Sequence, residues 1–324
     1  MFSATSVGLV HYGVFTLGVI FVLALDLGLF NRTPHKISFK EALGWSALWF
    51  SASMLFAFFA IQEVYPPAES GPKRIEFITG YVLELSLSMD NVFVIALIFS
   101  YFKVQTEFQH RVLFWGILGA LIMRGLMIGV GAAAVARWDA ILYIFGIFLL
   151  FTGIKMLFTS DDDDVEPENN ILVKLARKFF PVHDQFEGEK FSVKIDGKTM
   201  ITPMAVVLIT IESTDVVFAV DSIPAIFAVT TDPFIVFSSN MFAILGLRSL
   251  YFVLAGAIEY FHYLKHGLAL VLAFIGAKML CHHWLEFKFG KIPHWIPLAV
   301  VGTILAVSMI ASIVYKKGSD REGA

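Results

Sequence analysis

The chain has 324 residues, of which 57% are apolar and 16% charged, and its mean hydropathy is +0.75. A soluble domain carries about a quarter charged residues, so these values exclude an ordinary soluble enzyme, a disordered chain and a nucleic-acid-binding protein. The net charge of −3 calls for no polyanionic partner, and the one cysteine, Cys281, cannot form an internal disulfide. The composition favours a polytopic α-helical protein whose solvent is the lipid bilayer.

Nine stretches of the sequence are apolar and long enough to cross a bilayer, which takes about 20 residues in a helix. The first has no basic residues before it and is too long for a cleaved signal peptide, so we expect a retained span. The predicted fold is therefore all-α with about nine transmembrane helices. The predicted spans are 5–30, 42–61, 77–101, 112–134, 140–158, 203–229, 234–257, 267–285 and 295–315.

The loops predict the orientation of the chain. Those on one face, including the long polar segment 159–202 and the C-terminal tail, hold fifteen of the 24 Lys and Arg residues, and those on the opposite face hold five. Basic residues concentrate on the cytoplasmic side, so we expect the N-terminus outside and the C-terminus in the cytoplasm. Segment 159–202 opens with four aspartates at 161–164 and is interpreted as a solvated cytoplasmic loop.

The four remaining basic residues lie within spans and form two matched pairs. Arg124 and Arg248 are 124 positions apart, and Lys155 and Lys278 are 123 apart, within the similar segments GIKML and GAKML. This pattern indicates a duplication of three spans. The predicted units are two N-terminal helices (1–76), a first repeat (77–158), a cytoplasmic loop (159–202), a second repeat (203–285), and a C-terminal helix and tail (286–324).

A repeat with an odd number of spans predicts an inverted arrangement. Two consecutive three-helix repeats must enter the membrane from opposite sides, related by a pseudo-two-fold axis in the membrane plane. This plan is typical of secondary transporters, whose binding site lies near the midplane between the repeats.

Acidic residues within the spans concentrate on the first helix of each repeat. The six are Asp26, Glu84, Asp90, Glu212, Asp215 and Asp221, and only Asp26 lies on another span. Each ionised side chain at the bilayer centre costs about 3 kcal/mol. We expect Arg124, Arg248, Lys155 and Lys278 to balance part of this charge, with the two lysines reaching opposite faces. Five carboxylates against two central arginines leave an excess of negative charge, so either some are protonated or a cation lies among them.

The carboxylates allow two alignments of the repeats. Glu84 and Asp90 are six residues apart, as are Asp215 and Asp221, and matching both pairs needs an offset of 131. The preferred alignment therefore pairs Asp90 with Asp221 and attributes the extra residues to a loop, 102–111, that is longer than its counterpart, 230–233. The alternative pairs DNVF with DVVF, and so Asp90 with Asp215, at an offset of 125.

Neighbouring residues predict a hard-oxygen metal site. Asn91 adds an amide oxygen, and Pro224 leaves the carbonyl of Val220 without its helical partner. Hydroxyls come from Ser86, Ser88, Ser213, Thr214 and Ser222, with helix packing as an equally good interpretation. Oxygen ligands suit Mg²⁺, Ca²⁺ or Mn²⁺, and a thioether such as that of Met89 would favour Mn²⁺, although packing better explains Met89.

Three segments resemble the TerC family of membrane proteins, nearest to its Alx branch: ELSLSMDNVFV at 84–94, YIFGIFLLFTGIKM at 143–156 and IESTDVVFAVDSIPAIFAVTTDPFIVFSSNMFAILGLRSLYF at 211–252. The resemblance runs through nearly the whole chain. It implies a protein of the bacterial inner membrane that exports Mn²⁺ and responds to alkaline conditions, with the duplicated plan of the LysE transporter superfamily. By this likeness Asp90, Asn91 and Asp221 occupy the acidic motif positions, with Glu84, Glu212 and Asp215 beside them.

The resulting hypothesis is a secondary transporter, not an enzyme, that exports Mn²⁺ in exchange for protons. Asp90, Asp215 and Asp221 would bind the metal directly, with Glu84, Glu212 and Asn91 in direct contact or just behind. Mn²⁺ is here the transported substrate, and no organic cofactor and no nucleic acid are expected. The alternative is a membrane scaffold that delivers metal to exported enzymes or stress complexes. An intramembrane hydrolase is disfavoured because no nucleophile or histidine lies near the aspartates.

Overall fold

The computed structural model describes residues 7–25, 38–138, 140–158, 181–183, 185–195, 197–255, 264–281, 288, 293 and 295–322. Nearly all of them are helical. The helices are α1 (Leu9–Leu25), α2 (Phe39–Leu55), α3 (Ile61–Val64), α4 (Pro67–Tyr101), α5 (Thr106–Arg137), α6 (Ala140–Phe158), α7 (Pro203–Phe227), α8 (Pro233–Ala255), α9 (Leu264–Leu280) and α10 (Trp295–Glu322). A π-helical turn, Phe56–Ala60, joins α2 to α3, so these two helices form one span.

Each of the nine predicted spans corresponds to a helix within the described ranges. Seven are long and apolar enough to cross a membrane, and the shorter apolar helices Leu9–Leu23 and His266–Leu280 match the first and eighth predicted spans. Apolar side chains on outward helix faces, such as Leu126, Phe151 and Val217, are mostly exposed, as expected of surfaces that contact lipid. The prediction of an all-α polytopic membrane protein is confirmed.

The helix ends differ from the prediction around the first repeat. α4 begins at Pro67, ten residues before the predicted span, because Pro66 and Pro67 suit the start of a helix rather than its interior. α5 begins at Thr106, so the connection predicted at 102–111 is only 102–105, about as long as its counterpart, 228–232. The explanation of the alignment by a longer loop was therefore wrong.

The helix ends favour the alternative alignment of the repeats. α4 ends eleven residues after Asp90, and α7 ends twelve residues after Asp215 but only six after Asp221. Pairing Asp90 with Asp215 thus makes the two helices end at equivalent positions, whereas pairing it with Asp221 does not.

Before α7 the chain forms a small antiparallel hairpin that the sequence analysis did not predict. Strand β1 (Ser192–Ile195) pairs with β2 (Lys198–Ile201), with Ile195 opposite Lys198. Gly197 in the turn has φ of +75°, a conformation that glycine adopts without strain. The aspartates at 161–164 lie outside the described residues.

The third helices of the two repeats, α6 and α9, pack closely against each other. A Cβ atom at Gly153 would lie 2.5 Å from the backbone nitrogen of Ala273 and 2.7 Å from the carbonyl oxygen of Ala269. One at Gly276 would meet Leu150 nitrogen and Gly146 oxygen at the same two distances. All three position pairs are 123 residues apart, so the contact has the reciprocal form that the predicted two-fold repeat requires.

The remaining helices of the repeats also pack across the repeat boundary. α4 packs against α8, α5 packs against α7, and α4 and α7 contact each other. This interleaving places the first helix of each repeat, which carries the predicted acidic residues, side by side in the interior.

Candidate functional site

A buried arginine joins the acidic helices of the two repeats. Arg124 on α5 is 1% exposed, and its guanidinium forms an ion pair with Glu84 of α4. On its other side Nη2 and Nε bind the two oxygens of Asp215 on α7, at 2.8 and 3.1 Å. This paired geometry suits the planar guanidinium and holds three helices together. The structure thus brings Glu84 and Asp215 together, with Arg124 as their counter-charge.

Asn91 completes this group from α4. With its amide nitrogen donating to the carbonyl of Leu87 at 3.2 Å, its oxygen accepts from Nη2 of Arg124 at 3.1 Å. With the amide reversed, its nitrogen lies 3.4 Å from Oδ1 of Asp215. In either orientation Asn91 contacts the same group, so its oxygen is held at the boundary between the two repeats.

The predicted hydroxyl ligands separate into two sets. Ser86, Ser213 and Thr214 donate back to carbonyls of their own helices, which is the helix-packing role. Among the described residues, the buried hydroxyls of Ser88 and Ser222 have no hydrogen-bond partner. A buried polar atom without a partner costs free energy unless a ligand or water supplies one.

Two cavities share Asn91 and Phe218 in their linings. The first, of about 420 Å³ including its opening, is lined by Asp215, Thr214 and Arg248. The second, of about 400 Å³ including its opening, is lined by residues of α4, α5, α6, α7 and α9. Its lining includes Asn91, Arg124, Met156, Phe218, Asp221 and Ser222. Asp215 and Asp221 therefore line different cavities, with Asn91 bordering both.

At the second cavity, residues of both repeats supply oxygen atoms that could bind a metal ion. The Asp221 carboxylate interacts with the hydroxyl of Thr152 on α6, and the unpartnered Ser222 is the next residue along α7. Asn91 approaches from α4. Carboxylate, amide and hydroxyl oxygens of this kind can replace the water ligands of a hard divalent cation.

The other predicted ligands take separate positions. Glu212 lies against α5 where Gly119 has no side chain, because a Cβ there would overlap the Glu212 carboxylate. Asp90 lies on α4 next to Asn91, but its side chain, like the whole of Asp26, is outside the described residues. Among the described side chains no three Asp, Glu, His or Cys residues gather closely enough to hold a metal ion.

The remaining basic residues lie away from Asp215 and Glu84, except for Arg248. Arg248 borders the first cavity together with Asp215. Lys278 donates to the carbonyl of Ala228 at the end of α7, at 3.4 Å, and Lys155 is exposed on α6. Because α6 and α9 run in opposite directions, these lysines lie toward opposite ends of the helix pair.

The structure also contains a polar cluster that the sequence analysis missed. Lys73 on α4 bridges Glu76, at 3.0 Å, and Asp232, at 3.1 Å, and these three residues with Tyr65 and Thr230 form the group called here the Lys73 cluster. Charges at span ends are expected in water, so Lys73 was interpreted only as an indicator of orientation. The Thr-Thr-Asp-Pro sequence at 230–233, a helix-start signal, was the available clue that this connection is ordered.

Multiple membrane-spanning helices, a buried ion-paired group and cavities between two related halves define a polytopic membrane protein with a polar interior. The sequence profile of the integral membrane protein TerC family matches residues 69–320. The chain belongs to this family, as its sequence motifs predicted.

Full-length relatives agree with this assignment. The chain is 48% identical over 306 residues to the uncharacterized membrane protein STKORF319 of Myxococcus xanthus, covering 94% of this chain and 92% of the relative. It is 45% identical over 318 residues to "Putative membrane-bound redox modulator Alx" of Escherichia coli K12, covering 96% and 97%. It is 40% identical to an uncharacterized membrane protein of Rickettsia bellii, covering 93% and 96%. No solved structure matches the chain.

Proposed function

We propose that this TerC-family protein is a secondary transporter that exports Mn²⁺ from the cytoplasm of a bacterium through its inner membrane, in exchange for protons. One observation carries the proposal. The second cavity, between the two repeats, joins the Asp221 carboxylate, the Asn91 amide and the unpartnered Ser222 hydroxyl. A hydrated divalent cation would supply the partner that Ser222 lacks and the counter-charge for Asp221.

The ion-paired group of Arg124, Glu84 and Asp215 explains why the cation would bind beside this group and not between its members. Arg124 already pairs with both Glu84 and Asp215, so each of these carboxylates has less attraction for a metal. We propose that Asp221, Asn91 and Ser222 are ligands and that Asp90, the neighbour of Asn91, adds its carboxylate. Asp215 then acts on the first cavity, along the approach to this site.

Met156 provides the basis for preferring Mn²⁺. It lines the same cavity as Asp221, which Met89 does not, although both methionines also pack against the same apolar cluster. A thioether beside hard oxygens favours Mn²⁺ over Mg²⁺ and Ca²⁺, which gain little from sulfur. We expect Met156→Leu to keep transport but to reduce discrimination against Ca²⁺ by about tenfold, the effect of about 1.4 kcal/mol.

Coupling to protons would use the same carboxylates. A proton that binds Asp221 removes the charge that holds the metal, so proton entry from outside and metal release exchange without a separate pathway. Movement of one repeat against the other would expose the site to each side in turn.

The test is Mn²⁺ flux in liposomes that contain the purified full chain, with a pH gradient and a metal-quenched dye inside. We expect transport by the wild type, and a loss of about 10- to 100-fold in Asp90→Asn, Asp221→Asn and Ser222→Ala. Glu69→Gln, an exposed carboxylate on α4, is the matched control. Intact transport in both aspartate variants would refute the site. No flux by the wild type would favour the scaffold or metal-delivery alternative, which needs partner proteins.

The name of the Alx relatives, a redox modulator, is compatible with this proposal. The chain has one cysteine, so it cannot cycle between a dithiol and an internal disulfide. A transporter that sets the cytoplasmic concentration of a redox-active metal would change the redox state indirectly.

A further inference from the structure

The Lys73 cluster ties the start of α4 to the connection between α7 and α8. Besides the two ion pairs of Lys73, the hydroxyl of Tyr65 donates to Oδ2 of Asp232 at 2.9 Å. The hydroxyl of Thr230 donates to Oε2 of Glu76 at 2.6 Å. These contacts therefore join residues 65–76, at and before the start of α4, to residues 230–232 of the second repeat.

Further hydrogen bonds hold the connection 228–232 in place. Oδ1 of Asp232 accepts from the backbone nitrogen of Phe234 at 3.0 Å and so caps the start of α8. Lys278 binds the carbonyl of Ala228. Of the five members of the Lys73 cluster, four are buried, and the Lys73 side chain is 20% exposed. The cluster is therefore buried under a lysine that water can reach.

The Lys73 cluster lies in line with the proposed cation site. On α7, Asp221 follows Asp215 by six residues, and Thr230 and Asp232 lie beyond the end of the same helix. On α4, Glu76 precedes Glu84 by eight residues, which is about 12 Å along a helix. A cation that leaves the second cavity toward this end would meet the Lys73 cluster, and the loop distribution predicts that this end faces outside.

We propose that the Lys73 cluster is a latch that closes the outer end of the path between the repeats. It opens when Asp232 and Thr230 separate from Lys73 and Glu76, so that the corner between α7 and α8 moves away from α4. That the latch controls the passage of Mn²⁺ rests on the function proposed above, whereas the opening of the latch does not depend on that function.

The chemistry of the latch makes it reversible. Separating the same charges inside the bilayer would leave them unsolvated, whereas at the end of the helices water replaces each lost partner. When the latch closes, the donors and acceptors of the Lys73 cluster pair with one another. When it opens, they bind water instead.

Labelling of a single cysteine tests the latch without any transport. In a Cys281→Ser background, Ser222→Cys places a near-isosteric thiol in the second cavity. A membrane-impermeant maleimide is added to right-side-out and inside-out vesicles that contain the full chain. We expect Lys73→Gln and Glu76→Gln to increase labelling from the latch side by about tenfold, the population change for one lost charged hydrogen bond.

Matched variants keep the result interpretable. Glu69→Gln removes an exposed carboxylate of the same helix and should leave the labelling rate unchanged. Thr230→Ala keeps every charge and removes one hydrogen bond, so it remains informative if the charge variants fail to fold, and it should increase labelling by less. Unchanged labelling in Thr230→Ala and in every folded charge variant would overturn the latch.

The labelling and flux results separate the two proposals. Increased labelling with no Mn²⁺ flux in the wild type would support the latch and refute the exporter. Mn²⁺ flux with unchanged labelling would support the exporter and refute the latch. Increased labelling only from the cytoplasmic side would overturn the placement of the latch at the outer end.

Discussion

Arg124 and Lys73 occupy equivalent roles in two different surroundings. Each places a positive charge between a carboxylate of α4 and a carboxylate of the second repeat, Asp215 for Arg124 and Asp232 for Lys73. Arg124 is 1% exposed and lies within the spans, whereas the Lys73 side chain is 20% exposed at their end. We therefore expect the pairing of Arg124 to be permanent and that of Lys73 to be separable where water can enter.

The choice of side chain fits this difference. The planar guanidinium of Arg124 binds Asp215 through two nitrogens in a fixed geometry. The flexible ammonium of Lys73 contacts two carboxylates through one nitrogen, and each contact can be replaced by water.

The largest expected effect follows from Arg124→Gln. The variant leaves the Glu84 and Asp215 carboxylates buried without a counter-charge, which costs about 3–5 kcal/mol of stability in a buried pair. Thermal unfolding of the purified protein in detergent measures the loss. Adding Glu84→Gln and Asp215→Asn should restore most of it. Arg111→Gln, which breaks the partly exposed pair with Glu189, is the control and should cost at most about 1 kcal/mol.

Lys73→Met should destabilise less than Arg124→Gln, although it too leaves two carboxylates without their cation. Tyr65 and Thr230 still donate to these carboxylates, and water reaches the position of Lys73, so we expect a loss of about 1–3 kcal/mol. The same unfolding experiment measures it. A loss as large as that of Arg124→Gln would show that the two groups do not differ in separability.

Two variants of Asp232 distinguish the contribution of its charge to the latch from its contribution as the cap of α8. Asp232→Asn removes the charge but keeps an oxygen for the backbone nitrogen of Phe234, whereas Asp232→Ala removes both. We expect the alanine variant to be less stable than the asparagine variant by about 1 kcal/mol. Equal stabilities would show that the cap contributes nothing and that the charge alone holds the connection.

The smallest effect is expected from Tyr65→Phe. Burial, followed by the nearby Asp232 carboxylate, raises the pKa of the Tyr65 phenol above its usual range, so the phenol remains a donor. The hydrogen bond should contribute about 1 kcal/mol, and this contribution should be constant below about pH 10 and fall only as the pH rises through the raised pKa. Unfolding of both proteins across a pH series measures it. A difference that falls already below pH 9 would show that another group controls the latch.

The sequence predicted the membrane architecture well because apolar length and mid-span charges are strong local signals. Arg124 and the acidic residues near it, Glu84 and Asp215, were all identified, since a charge within a span needs a partner. The division of the acidic residues between two cavities could not be predicted, because it depends on side-chain directions around Asn91 and Phe218.

The Lys73 cluster was missed for the opposite reason. Lys73, Glu76 and Asp232 lie near span ends, where a charged residue is ordinary and its pattern carries no spacing signal. Only the packing of the connection 228–232 against α4 shows that Glu76 and Asp232 are buried. The shorter loop after α4 was missed because helix ends are weak signals when polar residues continue the helix, as at Thr106 and Glu107.

The contact between α6 and α9 has a consequence for how such a chain arose. Gly153 and Gly276 each meet the equivalent two backbone positions of the other helix at equal distances. Two identical subunits related by a two-fold axis meet in this way, each offering the same patch to the other. A half-length ancestor with one copy of this patch would have dimerised through it in opposite orientations, so fusion of two copies needed no new interface at this position.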